Sequence, residues 1–256
     1  MRLLLINLAR ATERRTTMSA RLKAVGQPFE VLDATDGRAL TPAQRALADQ
    51  SARRWITEYP LSDNEIGCWL SHLRAMQALL DSDAPMLAVL EDDLLIDPAL
   101  PAVLAAIAAR SIPFDMIDLH RNLKRGEVFA PCTNLLADVA LGRIGYTHMN
   151  NFGYVVSRHG AERFIARSTR FVHAVDKAMH RWWANGLELY GLSRPMVMMD
   201  AAVASMIDET RADRPEFPGA RLPHWAAART LVKLSESLRK RALFPAYARR
   251  GRAACA

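Results

Sequence analysis

Three consecutive carboxylates, Glu91, Asp92 and Asp93, follow an apolar run that begins after Pro85 and reads MLAVL. Like charges this close repel one another, and burying even one of them costs free energy unless something positive compensates. Side chains alternate along a strand, so if the strand continues through residue 93, Glu91 and Asp93 share one side and Asp92 points to the other. Carboxylates at the carboxyl edge of an open α/β sheet lie where such sheets bind their ligands. Hard oxygen ligands suit Mg²⁺ or Mn²⁺, which usually complete their shell with waters and substrate phosphates. A divalent cation bridging acid and diphosphate therefore answers the charge pattern. The alternative is a strand that runs out into a solvated acidic loop.

The flanking sequence supplies the sheet that such a site needs. Residues 2–7 form a short apolar run, Met18, Leu22 and Val25 fall at helical spacing, and FEVLDATDG follows as a second strand and turn. Strand, helix and strand in succession open an α/β domain. Thr41, Pro42 and Gln44 start a helix read through residue 55, with Thr41 as N-cap and Gln44 in the capping-box position. Ser62 and Glu65 repeat that box ahead of the clearest helix, where Ile66, Trp69, Leu70, Leu73, Met76 and Leu80 make one apolar stripe. Gly67 inside this helix costs roughly 1 kcal/mol against alanine, so a close backbone approach is expected there. Residues 114–120 and 150–157 read as further strands, Ser157 and Asp176 as caps of following helices, and residues 187–199 as one or two late strands.

Composition narrows the class of protein. Half of the 256 residues are hydrophobic and no run of about 18 apolar residues occurs, so a globular chain with a sizeable core is expected, without a membrane-spanning helix. The first ten residues are too short for a signal-peptide core, and three scattered cysteines suggest a reducing compartment, both pointing to a cytoplasmic protein. Net charge is +7, but residues 211–256 hold 11 Lys+Arg against 3 Asp+Glu, leaving 23 against 24 in residues 1–210. A basic tail on a neutral body suggests an anionic surface partner, and no nucleic-acid motif is visible.

INLARATERR, DATDG, EIGCWLSH, LEDD and GYVVSRHGAERF occur in that order, and over residues 2–200 the chain resembles glycosyltransferase family 25, the lipopolysaccharide-biosynthesis glycosyltransferases. The resemblance implies a GT-A fold: an α/β, Rossmann-like mixed sheet flanked by helices, spanning residues 1–210, here followed by a linker and a basic helical C-terminal tail (residues 211–256). It implies an acidic D-x-D-type motif that holds a divalent metal, Mn²⁺ or Mg²⁺, and the diphosphate of a nucleotide sugar. It also implies inverting transfer of a sugar, commonly galactose from UDP-galactose, to a lipopolysaccharide or related surface-glycan acceptor. Carried over, the acidic motif falls on Glu91, Asp92 and Asp93, with Asp93 and Glu91 as metal ligands. The rival from another class is a catalytically silent GT-A domain that binds nucleotide sugar and acts as a membrane-associated interaction protein.

Further residues fit this chemistry, each with a structural alternative. Arg10, Arg14 and Arg15 follow the first strand, where a nucleotide would lie, or form a solvated helix face. Asn7 resembles the family's opening motif, or caps a turn. Asp33 and Asp36 could hold ribose or base, although an Asp-Gly turn explains Asp36 equally well. His72 resembles the family's LSH histidine and could approach substrate, or be a satisfied buried histidine. Asp176 resembles a family aspartate and is the preferred general base, with a plain N-cap as the alternative; Asp118 is the fallback base. Glu65 already has a role in the capping box. His173 and Asp200 could add a metal or acceptor contact, and Trp182 or Trp183 could stack on an acceptor sugar. In the tail, Leu231, Leu234, Leu238 and Ala242 form one stripe with basic residues elsewhere, resembling an interfacial helix on an anionic membrane beside a lipid-linked glycan acceptor. The alternative is a helix docked on the catalytic domain with a frayed basic end.

Overall fold

In chain order the elements of this computed structural model are β1 (Arg2–Asn7), α1 (Thr12–Ala24), β2 (Glu30–Asp33), a 3-10 turn (Gly37–Ala39), α2 (Pro42–Arg45), α3 (Gln50–Arg53), α4 (Asp63–Leu80), β3 (Met86–Leu90), β4 (Leu94–Ile96) and α5 (Leu100–Ala108). There follow β5 (Met116–Asp118), β6 (Val128–Leu136), β7 (Val139–Tyr146), β8 (Gly153–Ser157), α6 (Arg158–Ala166), α7 (Val175–His180), α8 (Trp182–Asn185), β9 (Leu189–Leu192), β10 (Val197–Met199) and α9 (Pro223–Cys255). The structure describes residues 1–120, 128–146, 153–202 and 214–255. The expected domain boundary at residue 210 lies outside the described residues.

Eight strands form one mixed sheet in the order β2-β1-β3-β8-β5-β9-β7-β6, and β10 pairs with β4 in a separate two-stranded ribbon. β1 lies parallel to both β2 and β3, whereas β8 runs antiparallel to β3 and β5. The central strands are largely apolar because helices cover both faces. Leu4 and Ile6 of β1 join one core with Trp69, Met76 and Phe164, while Leu3 and Leu5 join the opposite core with Met18, Leu22 and Val103. Each buried leucine or isoleucine contributes about 1.5–3 kcal/mol relative to exposure. This is the mixed α/β, GT-A-type arrangement that the sequence resemblance implies.

Local signals fix several elements. Thr41 and Ser62 each close a complete capping box, and Ser157 accepts from the Gly160 amide at the head of α6. Gly67 has the packing reason expected of it: a Cβ there would lie 2.6 Å from the Thr35 carbonyl oxygen, so α4 packs directly on the loop after β2.

Other expectations are corrected. The helix read over residues 41–55 is two short ones, because Ala48 bridges Phe171 and the Asp49 amide donates to the Phe171 carbonyl. Asp176 is not an N-cap: Ala174 holds that position and Asp176 lies in the first turn of α7, which ends at Arg181 rather than continuing to Gly186. Arg181 has φ −83° and ψ 49°, outside the helical region. The late strands are two, in different sheets. Three elements carried no expectation: α5, β4 and the β6–β7 hairpin. The hairpin is broken by register shifts and by Pro131, which obscure its alternation.

Candidate active site

β2, β1 and β3 are parallel and end at the same edge, with β1 between strands that follow it in sequence. This reversal of strand order leaves a crevice beyond the carboxyl ends. Asn7 closes β1 opposite Asp33, and Glu91 follows the last residue of β3. The strand does not continue through residue 93. The chain bends after Leu90, the Asp93 carbonyl accepts from the Asp200 amide (2.9 Å), and β4 departs to pair with β10. The expected alternation is therefore replaced by a different division. Arg14 of α1 reaches both aspartates, Nη2 lying 2.5 Å from Asp92 Oδ1 and 3.0 Å from Asp93 Oδ2. Glu91 turns instead to His72, Oε1 lying 3.3 Å from Nε2.

Asn7 ties the edge together. Its Nδ2 donates to Asp92 Oδ2 at 2.6 Å and to the Ala11 carbonyl at 3.2 Å, so it both orients an acid and caps the turn into α1. Asp92 and Asp93 are buried. Burial raises the pKa of both above the ordinary aspartate value, and the Arg14 guanidinium only partly offsets it. Burial likewise raises Glu91, opposed by His72. Among the described residues, Asn7 Oδ1 and Asp93 Oδ1 are buried with no hydrogen-bond partner. Three carboxylates against one arginine, with an unpartnered aspartate oxygen among them, form an oxygen-rich, negatively biased set that fits a hard divalent cation.

A second set of donors adjoins it. Cys68 and His72 are four residues apart on α4 and so share a face, and with Glu91 their ligand atoms lie within 4.8 Å of one another. His72 Nδ1 is 3.0 Å from the Tyr154 hydroxyl, which holds the ring with Nε2 toward Glu91. A thiol, an imidazole and a carboxylate could also hold a softer metal. Burial raises the Cys68 thiol well above its ordinary value, aided by Glu91, Asp176, Glu65 and Asp93.

The remaining sequence candidates fall around this centre. Arg10 pairs with Asp36 at 2.7 Å, and Asp36 also accepts from the Arg38 amide, so turn and ion-pair roles coexist. The Asp33 side chain is exposed, 4.0 Å from Arg15. Asp176 is partly buried, its Oδ1 accepting from the Lys177 amide at 2.6 Å. Asp118 is buried at the end of β5, across Tyr154 from Val89 at the same carboxyl edge: Oδ2 is 2.9 Å from His180 Nε2, and Oδ1 accepts from the His120 amide. Burial opposes the charged form of His180, but Asp118 overcomes it and raises the pKa above 6.5. His180 Nδ1 in turn donates to the Asp176 carbonyl at 2.8 Å. Asp200 pairs with Arg21, and Trp182 packs in the core against Tyr247. His173 is buried with its pKa lowered to about 2, chiefly by burial. Glu65 has a second role beyond its capping box, accepting from Arg214 at 2.6 Å.

Sequence reasoning missed Arg21, Cys68, Tyr154, His180 and Arg214. Cys68, one turn before His72, and His180, one turn after Asp176, carried a local signal.

An α/β domain of GT-A type with an acidic cluster at the strand-order reversal is the class that fold and site define. The family description "Glycosyltransferase family 25 (LPS biosynthesis protein)" matches residues 1–179, and the chain belongs to that family. It is 28% identical over 169 residues to procollagen galactosyltransferase 1 of Danio rerio, covering 63% of this chain and 28% of that protein. Similarity to a probable inactive glycosyltransferase 25 family member 3 of Bos taurus is 29% over 169 residues, with 63% and 28% covered. The lacto-N-neotetraose biosynthesis glycosyltransferase LgtE of Neisseria meningitidis is 24% identical over 217 residues, covering 80% of this chain and 76% of that one. The chain thus spans little more than a quarter of the animal relatives and about three quarters of the bacterial one.

Proposed function

We propose that this chain transfers galactose from UDP-galactose, with inversion at the anomeric carbon, to a hydroxyl of a lipopolysaccharide or related lipid-linked surface glycan at the cytoplasmic side of a membrane. The observation that carries the reading is the gathering of Glu91, Asp92 and Asp93 with Asn7 and Arg14 at the reversal between β1 and β3. The names of the relatives, procollagen galactosyltransferase and a lacto-N-neotetraose biosynthesis glycosyltransferase, support the sugar and the acceptor class. Mn²⁺ or Mg²⁺ held by Asp93 and Glu91 would act as a Lewis acid toward the charge that develops on the departing diphosphate.

The chain's own residues do the rest. Arg14 brings a fixed cation to the diphosphate, and Asn7 orients Asp92 beside it. Arg10, Asp33 and Asp36 line the turn where the nucleoside would lie. His72, fixed by Tyr154, sets the Glu91 carboxylate. Asp176 takes the acceptor proton as general base from the face opposite the leaving group. Asp118, the second candidate for that task, is committed to His180 and positions α7.

Thermal shift and hydrolysis of nucleotide sugars, with and without Mn²⁺, test the reading. UDP should stabilise the protein only with metal, and Asp93→Asn should remove the effect. Metal-independent stabilisation that survives the substitution would overturn the site. The silent-domain reading, which the cattle relative's name raises, requires UDP and metal to stabilise the chain without any turnover.

A further inference from the structure

We propose that the outward face of α9 is a docking surface for an anionic lipid bilayer. It rests on the helix surface alone and holds whichever nucleotide sugar the domain binds.

α9 has two faces of opposite character. One is locked onto the domain. Tyr247 stacks on Trp182 with ring centroids 4.1 Å apart, and its hydroxyl accepts from the Leu189 amide at 2.7 Å. Arg229 is buried against Glu58 at 2.9 Å. Gly251 lies directly on Arg143, where a Cβ would come within 2.5 Å of Arg143 Cγ. The basic end is therefore docked rather than frayed, and the helix is ordered before any partner arrives.

The other face carries Leu231, Leu234 and Leu238, which are 67, 55 and 66% exposed. Spacings of three and four residues put them on one stripe. Monomer surfaces scatter large apolar residues singly, so three in line on one helix mark a contact surface. Exposed Arg239 and Arg241 adjoin the stripe, and exposed Arg249 and Arg252 lie further along the same helix, beyond Pro245. Glu236 is the sole acid in α9, and it is turned inward to pair with Arg181. The outward surface thus joins leucines with arginines, and α9 contributes no carboxylate to it.

Charge decides which partner this suits. The same leucine spacing would serve a helix–helix seam between two copies, but that packing brings Arg239 and Arg241 against a helix face with no glutamate to pair with them. A bilayer bearing anionic headgroups accepts the leucines at its acyl boundary and neutralises the arginines. No helix among the described residues is long and apolar enough to cross a membrane, so the contact is with the surface.

Flotation of the full chain with vesicles tests this, using phosphatidylcholine alone against phosphatidylcholine mixed with phosphatidylglycerol at roughly three to one. The chain should float with the anionic vesicles, not with the neutral ones, and less as salt rises. Leu231→Ser/Leu234→Ser/Leu238→Ser and, separately, Arg239→Gln/Arg241→Gln should each lower partitioning about tenfold or more while the melting temperature holds. The arginine pair keeps the test decisive if the serine variant misfolds. Equal binding to neutral vesicles, or full binding by either variant, would overturn the proposal. So would leucine-dependent dimers in sedimentation without lipid, or heparin binding without vesicle binding.

Discussion

Two arginines toward opposite ends of the sheet, Arg143 buried and Arg14 partly exposed, show how differently this fold treats charge. Arg143 of β7 lies between the rings of Tyr190 and Tyr247, 3.8 and 4.3 Å from their centroids, and pairs with the single acid Glu188. Its Nη1 also donates to the Tyr247 hydroxyl at 3.1 Å, which fastens α9 to the sheet edge. Arg250 also lies 3.9 Å from the partly exposed Glu188, so cations outnumber the acid here. Arg14 instead faces two aspartates with Glu91 beside them, and burial pushes all three carboxyls upward. The first cluster carries no excess of negative charge and holds structure. Both clusters hold buried polar atoms without a partner, Arg143 Nε and Tyr190 Oη in the first and Asp93 Oδ1 in the second, but only the second keeps an excess of negative charge, which stability alone would remove.

Substitutions in the two clusters should separate turnover from stability. Asp93→Asn should lower sugar turnover about a thousandfold, the scale of a lost Lewis-acid contribution, while Glu188→Gln leaves it within about twofold. Turnover of UDP-galactose by the two purified variants checks this, and equal losses would erase the distinction.

Asp118→Asn breaks a third buried pair, on the central strand β5 between the two regions, and should cost about 3–5 kcal/mol in denaturant unfolding. Its pH dependence has a definite sign. His180 has a folded pKa above 6.5, so its stabilisation is complete below that value and is lost as pH rises through the raised one. Melting temperatures across neutral and mildly alkaline pH should fall more steeply for the wild type than for Asp118→Asn.

Arg14→Gln and Arg143→Met should each destabilise the metal-free chain by about 2–3 kcal/mol, below the fully buried limit because Arg14 and Glu188 each reach solvent. Only the first should then gain a larger Mn²⁺ thermal shift than the wild type, because only there can a metal replace the lost cation. A metal rescue of Arg143→Met would contradict the comparison. Smallest of all, Ser157→Ala should cost about 1 kcal/mol through the lost N-cap of α6, measured by the same unfolding curves, with no change in metal response.

The parts of the fold that could be read in advance are those governed by near neighbours. Ser62 and Glu65 announce α4 three residues apart, and the burial of residues 3–6, alternately in the two cores, follows from an apolar strand covered on both faces. The β6–β7 hairpin escaped because its shifted register and Pro131 break the two-residue period. At the site, Asn7, Arg14 and the acidic triplet were identified as candidates, but their division was not. Alternation assigned Glu91 and Asp93 to one side, whereas the bend after Leu90 gives Arg14 to the aspartates and His72 to Glu91. That bend depends on β10, more than a hundred residues further along the chain.

The sequence by itself determined that three acids end an apolar strand, that two capping boxes start helices, and that positive charge collects at the carboxyl end, because these depend on residue type and spacing within a turn or a strand. Tertiary structure decided which acids share a cation, that Asp118 belongs to His180, and that α9 is fastened at Tyr247 while its leucines face outward. Asn7 and Asp92 are 85 residues apart and meet only because β1 and β3 lie side by side; no local rule carries information over that distance.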